Sequence, residues 1–121
     1  MALSTTLRTR TALRRIVAAL RDFANEQGWQ RDEYQVLFRV LEDWGRITVL
    51  LVAKDLGGVS DTEMRARVWN YLENALNQGG GIGFSIGLLV RTWDEVNKGP
   101  AHSIPEGYVE EQILLGSGAG E

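Results

Sequence analysis

The stretch NALNQGGGIGFSIGLLVRTWDEV, residues 74–96, sets three consecutive glycines between a segment of helical period and one of alternating period. A phosphate-cradling loop of the Walker type needs the order strand, G-x-x-x-x-G-K-[ST], helix, so that backbone amides and a helix N-terminus meet the phosphates. Here the order is helix, Gly79-Gly80-Gly81, strand, and no Lys or Ser/Thr stands at the required place. The dinucleotide fingerprint fails for the same reason, because no helix N-terminus follows to receive a pyrophosphate. The glycines therefore read as a helix stop and a link. Beyond them Ile82, Phe84, Ile86, Leu88 and Val90 share one face of a strand expected over 82–91. Gly83, Ser85, Gly87 and Leu89 share the other, a face of small residues that lets a helix, a partner or a ligand approach the backbone.

Upstream of the glycines, Met64, Val68, Tyr71, Leu72, Ala75 and Leu76 recur at helical spacing and predict a helix over 62–78. Ser60 and Glu63 have the spacing of a capping box at its start. Before it lie two runs of strand character, EYQVLFRVL (33–41) and RITVLLVAK (46–54), joined by the acidic turn Glu42-Asp43-Trp44-Gly45. Four residues between two such runs predict an antiparallel hairpin. The second run is apolar at nearly every position, as expected of a central strand covered on both faces. At the N-terminus Leu13, Ile16, Val17, Leu20, Phe23 and Ala24 form the stripe of a helix over 4–27, with Ser4 or a neighbouring Thr as its cap and Gly28 as its stop. Downstream, Thr92 and Glu95 match a second capping box, so a short helix is expected from Trp93. Residues 108–115 suit a short helix or a last strand equally. The expected fold is a single α+β domain over residues 1–115. Its element order is α-β-β-α-β followed by that short piece, with a small antiparallel sheet and the two main helices packed on one face. Residues 116–121 form a Gly-rich flexible tail.

With 121 residues, 44% hydrophobic and 24% charged, the chain is long enough for one core and too short for two. It has no cysteine, which excludes disulfides, thiolate nucleophiles and cysteine-held metal clusters. There is no apolar run of the ~20 residues that a membrane-spanning helix needs, and no secretory leader pattern. A cytoplasmic location is expected. The net charge of −3 is unevenly spread. Residues 1–31 hold six arginines against Asp22 and Glu26, whereas the remainder is acidic. A basic helix on an acidic body suits pairing within the chain, pairing with a second copy, or contact with an anionic partner.

Reactive constellations are few. His102 is the sole histidine and lies between Pro100 and Pro105 in a loop, with no orienting partner. Glu42-Asp43, Asp94-Glu95 and Glu110-Glu111 are adjacent pairs whose side chains point apart, which does not suit a catalytic dyad. Gly83-Phe84-Ser85-Ile86-Gly87 matches G-x-S-x-G in letters, but Ser85 falls within a strand and not at a strand-to-helix turn. No catalytic residue, cofactor or metal is therefore expected. Four tryptophans remain. Trp69 and Trp93 suit the core, while Trp29 and Trp44, at turns, suit either a lid on the core or an interface anchor. The candidate partner-binding residues are thus Arg8, Arg14, Arg15 and Arg21 on the first helix, with Trp29 and Trp44.

The α-β-β-α-β order, together with Leu56-Gly57-Gly58-Val59-Ser60 at the turn before the second helix and Thr92-Trp93-Asp94-Glu95-Val96 at the last strand's end, resembles the BolA-like family. The resemblance covers about a third of the chain. It implies a fold akin to class II KH domains, and that family is associated with monothiol glutaredoxins and iron–sulfur traffic. The family's Arg-His pair would fall at Met64-Arg65, so its histidine is missing and no site residue carries over. The KH comparison implies a nucleic-acid alternative, in which the Arg-rich first helix would supply the contacts. Gly80-Gly81-Ile82-Gly83 matches the KH G-x-x-G in letters, yet it joins a helix to a strand and has no adjacent Lys or Arg. In composition the chain is also similar to small acidic secretion chaperones, which implies an apolar groove for an extended peptide. The leading expectation is a non-enzymatic interaction or adaptor module, homodimeric, that binds a protein partner.

Overall fold

The computed structural model describes residues 7–77, 83–98 and 107–110. Ser4, the triple glycine, Ile82, His102, Glu111 and the tail 116–121 lie outside the described residues, as does the side chain of Glu95 that the second capping box would use. Helix α1 spans Leu7–Gln27. Its stripe of Leu13, Ile16, Val17, Leu20, Phe23 and Ala24 is buried. It stops at Gly28, whose φ of 79° is the left-handed conformation that a side chain disfavours. There the Gly28 amide donates to the Asn25 carbonyl at 3.1 Å and the Trp29 amide to the Ala24 carbonyl at 3.0 Å. This pair of bonds satisfies carbonyls that the helix end would otherwise leave open.

A one-turn 3₁₀ segment at Arg31–Glu33 leads into β1, Tyr34–Leu41. A second 3₁₀ turn, Glu42–Trp44, leads into β2, Arg46–Ala53. The two strands pair antiparallel in full, from Tyr34 opposite Ala53 to Leu41 opposite Arg46. This is the hairpin that the two alternating runs require. Helix α2, Asp61–Asn77, begins where the Glu63 amide donates to Ser60 Oγ at 3.1 Å. Strand β3 covers Ser85–Thr92, helix α3 Trp93–Lys98, and a two-residue strand β4 Val109–Glu110. The sheet order is β3-β2-β1-β4. Of residues 108–115, Val109–Glu110 are strand, and 111–115 lie outside the described residues.

The α+β class and the element order match the sequence reading. The sheet itself is mixed and not wholly antiparallel: β3 runs parallel to β2, with Arg46 opposite Ser85 and Ala53 opposite Thr92. The reason is α2. Placed between the two strands, it carries the chain back across the sheet, so β3 starts beside the start of β2, as a crossover connection requires. β3 also starts three residues later than the alternating pattern suggests, since Gly83 has a φ of 74° and precedes the ladder.

Helices α1 and α2 cover one face of the sheet. Val36, Phe38, Ile47, Val49, Leu51, Leu88 and Val90 point into that layer and are buried with the helix stripes. The opposite face has a smaller core of Leu37, Leu50 and Val52, covered by Val96 of α3, with Leu89, Trp93 and Tyr108 packed beside it. β2 is thus enclosed on both sides, which explains its unbroken apolarity. Fully burying one such Leu or Phe side chain contributes about 1.5–3 kcal/mol.

Candidate functional site

The expected site residues do not gather at one place. Trp29 packs against the core, edge-on to Phe23 at 5.9 Å and tilted to Tyr34 at 6.1 Å. Its position just past Gly28 makes it the apolar contact that accompanies the helix stop. Trp44 is different. It sits on the 3₁₀ turn between β1 and β2 with 82% of its surface exposed. Trp69 and Trp93 are half-buried against the two cores.

Two of the α1 arginines are used inside the chain. An Arg8 Nη2 donates to the Gly83 carbonyl, and the guanidinium stands over the Phe84 ring with Cζ 4.5 Å from its centroid. Arg15 Nη2 donates to the Leu76 carbonyl at 2.8 Å, near the C-terminal end of α2, where a cation is favoured. Arg14 is exposed and Arg21 half-exposed, and both have interactions with other residues. Arg8 and Arg15, two of the four arginines expected to meet a partner, thus tie α1 to its own domain. Tyr71 of α2 makes a similar tie, donating its hydroxyl proton to Glu26 Oε2 at 2.8 Å. That bond, with some desolvation and the nearby carboxylates of Glu26 and Asp22, raises the phenol above its ordinary value of 10.0.

The structure instead draws attention to the β3 edge. Among the described residues β3 has a single sheet neighbour, β2. The Ser85 amide donates to the Gly45 carbonyl at 2.8 Å, toward the β2 side. A strand's backbone groups alternate between its two sides, so Ile86, Leu88 and Val90 present theirs to the open edge. The carbonyls of two of these accept from guanidinium groups: Leu88 from Arg65 Nε at 2.8 Å, and Val90 from Arg91 Nη1 at 2.9 Å. Arg46 lies over the backbone of Gly87, where a Cβ would stand 2.9 Å from its Nη2. The small face of β3 thus accommodates an arginine of its own chain. Between α2 and β3 runs a groove of about 220 Å³, lined by Trp69, Leu72, Leu76, Phe84 and Ile86 with Glu73 and Asn77.

Sequence reasoning assigned the apolar residues of this groove to the core, where Leu72 and Leu76 are buried and Trp69, Phe84 and Ile86 pack against them, but it did not foresee the groove. The missed signal is the strand order, which puts β3 at the end of the described sheet. Among the described residues no group of three or more His, Cys, Asp or Glu side chains could hold a metal. Asp43 is exposed on its turn and Asp94 is exposed on α3. No described helix is long and apolar enough to cross a membrane. No family model matches this chain, nor does any curated protein or solved structure.

Proposed function

We propose that the chain is a non-enzymatic protein-interaction module of the cytosol, and that it holds either a partner protein or a second copy of itself. One observation carries this reading: an apolar groove opens between α2 and the outermost strand of the sheet. Grooves of this kind, set between a helix and an edge strand, take up extended polypeptide, because the strand offers backbone bonds and the groove takes alternate side chains. The exposed indole of Trp44 adds a possible anchor on the hairpin tip. The homodimer no longer draws support from Arg8 and Arg15, which are engaged within the chain.

The test is photo-crosslinking in the native host with benzoylphenylalanine in place of Trp69. Adducts with polypeptides are expected, and their mass separates a second copy from another protein. The same group in place of Ala18, exposed on α1, is the control. Adducts no stronger than that control would overturn the reading.

Single-stranded RNA is the second occupant with an observation in its favour. Arg39 and Arg46 stand on the sheet face away from the main helices, flanking Thr48, near exposed Trp44. Arginines and a free aromatic ring on a sheet suit phosphates and stacked bases. A gel shift with RNA that weakens steeply as salt rises supports this occupant, and no shift at low salt excludes it.

A further inference from the structure

We infer that β3 is the docking strand for an extended peptide in which apolar residues alternate with carboxylates. This rests on the interaction-module reading and names the partner's chemistry. The edge groups of Ile86, Leu88 and Val90 form a ready template for one more strand. Successive side chains of an added strand point to opposite faces. On the helix side they enter the groove of Trp69, Leu72, Leu76, Phe84 and Ile86, which takes apolar groups. On the other side they meet Arg46, lying across Gly87, and Arg91 at the rim.

Charge supplies the selectivity. Arg65 and Arg91 hold the outward carbonyls of Leu88 and Val90. An incoming strand must put its own amides on those carbonyls, which releases both guanidinium groups. Among the described residues Arg8, Arg46, Arg65 and Arg91 make no ion pair, so their charges remain available to a partner. A carboxylate on the incoming strand's face away from α2 gives the released Arg91 guanidinium a bond stronger than the neutral carbonyl it lost. A neutral or basic strand leaves that loss uncompensated. The same two arginines thereby protect an otherwise open edge from indiscriminate pairing. Glu73 lines the groove near Phe84, so the carboxylates belong near Leu88 and Val90 and not at the Phe84 end.

The experiment selects from a random twelve-residue peptide library displayed on phage, using the full chain as bait. The enriched peptide, synthesised with a fluorescent label, is then measured by anisotropy and by amide chemical shifts. Enriched sequences are expected to alternate Asp or Glu with apolar residues and to lack proline. Shifts are expected at Ile86, Leu88 and Val90. Methylating every second peptide amide should abolish binding. R65Q/R91Q should cut the preference for the acidic peptide over a neutral analogue about tenfold, with the neutral analogue binding no more weakly than to the native chain. The methylated peptide leaves the protein untouched, so it decides the matter even if the double variant misfolds. Enriched peptides that are basic, that follow a helical period, or that shift residues elsewhere would overturn the docking strand while leaving an interaction module standing. A library with no enrichment over the unselected pool would overturn both.

Discussion

Tyr71 shows how one side chain links the two helices and gives the fold a measurable pH response. Its hydroxyl donates to Glu26 of α1, and the phenol titrates above 10.0 for that reason first. The folded state therefore favours the protonated ring. The stabilisation is complete below the unfolded value of 10.0 and is lost as pH rises through the higher folded value. Urea midpoints measured between about pH 9 and pH 11 should fall more steeply for the native chain than for Tyr71→Phe, which cannot ionise. Parallel curves would refute the linkage. Trp44 makes the opposite case. With 82% of its surface in solvent, Trp44→Ala should change stability by no more than about 0.5 kcal/mol. A larger loss in thermal unfolding would show that the indole is part of the fold and not a surface kept for contact.

Among the elements, the stop of α1 is the most demanding. Gly28 holds a φ of 79° while two bonds close the last turn. Nothing crowds the position of a Cβ there, so Gly28→Ala isolates backbone strain from steric clash. The expected loss is about 1–2 kcal/mol in denaturant unfolding, and an unchanged midpoint would refute it. This helix was legible in advance because a 3.6-residue stripe and a terminal glycine each follow from local geometry. The hairpin was legible too, since alternation and a four-residue turn specify neighbours close in sequence. The direction of β3 was not, because alternation reads the same along either direction of a strand. The groove beside Phe84 and Ile86 was not legible either: only the sheet order shows that they stand at a rim. The bonds of Arg8 and Arg15 within the chain were not legible because their acceptors are backbone carbonyls, which leave no trace in a pattern of side-chain types.

For the whole molecule, the decisive fact is that the two cores share the strands between them, β2 above all. β2 sends Ile47, Val49 and Leu51 into the layer under α1 and α2, and Leu50 and Val52 into the layer under α3. Leu51→Ala should cost about 2–5 kcal/mol, as for other buried leucines, and should do so in a single cooperative transition. Two separate transitions would mean that the layers unfold independently.

The parallel seam also implies an order of assembly. Leu41 and Arg46 are joined by one short turn, whereas Arg46 meets Ser85 only after all of α2 intervenes. Distant pairings must offset the entropy of closing a long loop before they contribute anything, so they tend to form late. The hairpin with α1 should therefore appear early in refolding, and β3 should close last. In pulsed hydrogen exchange the amides of Val36–Phe38 should gain protection ahead of those of Gly87 and Leu89, which face β2. The strand at the end of the sheet would then also be the last to reach it, and so the most exposed to wrong pairing while the chain is still incomplete.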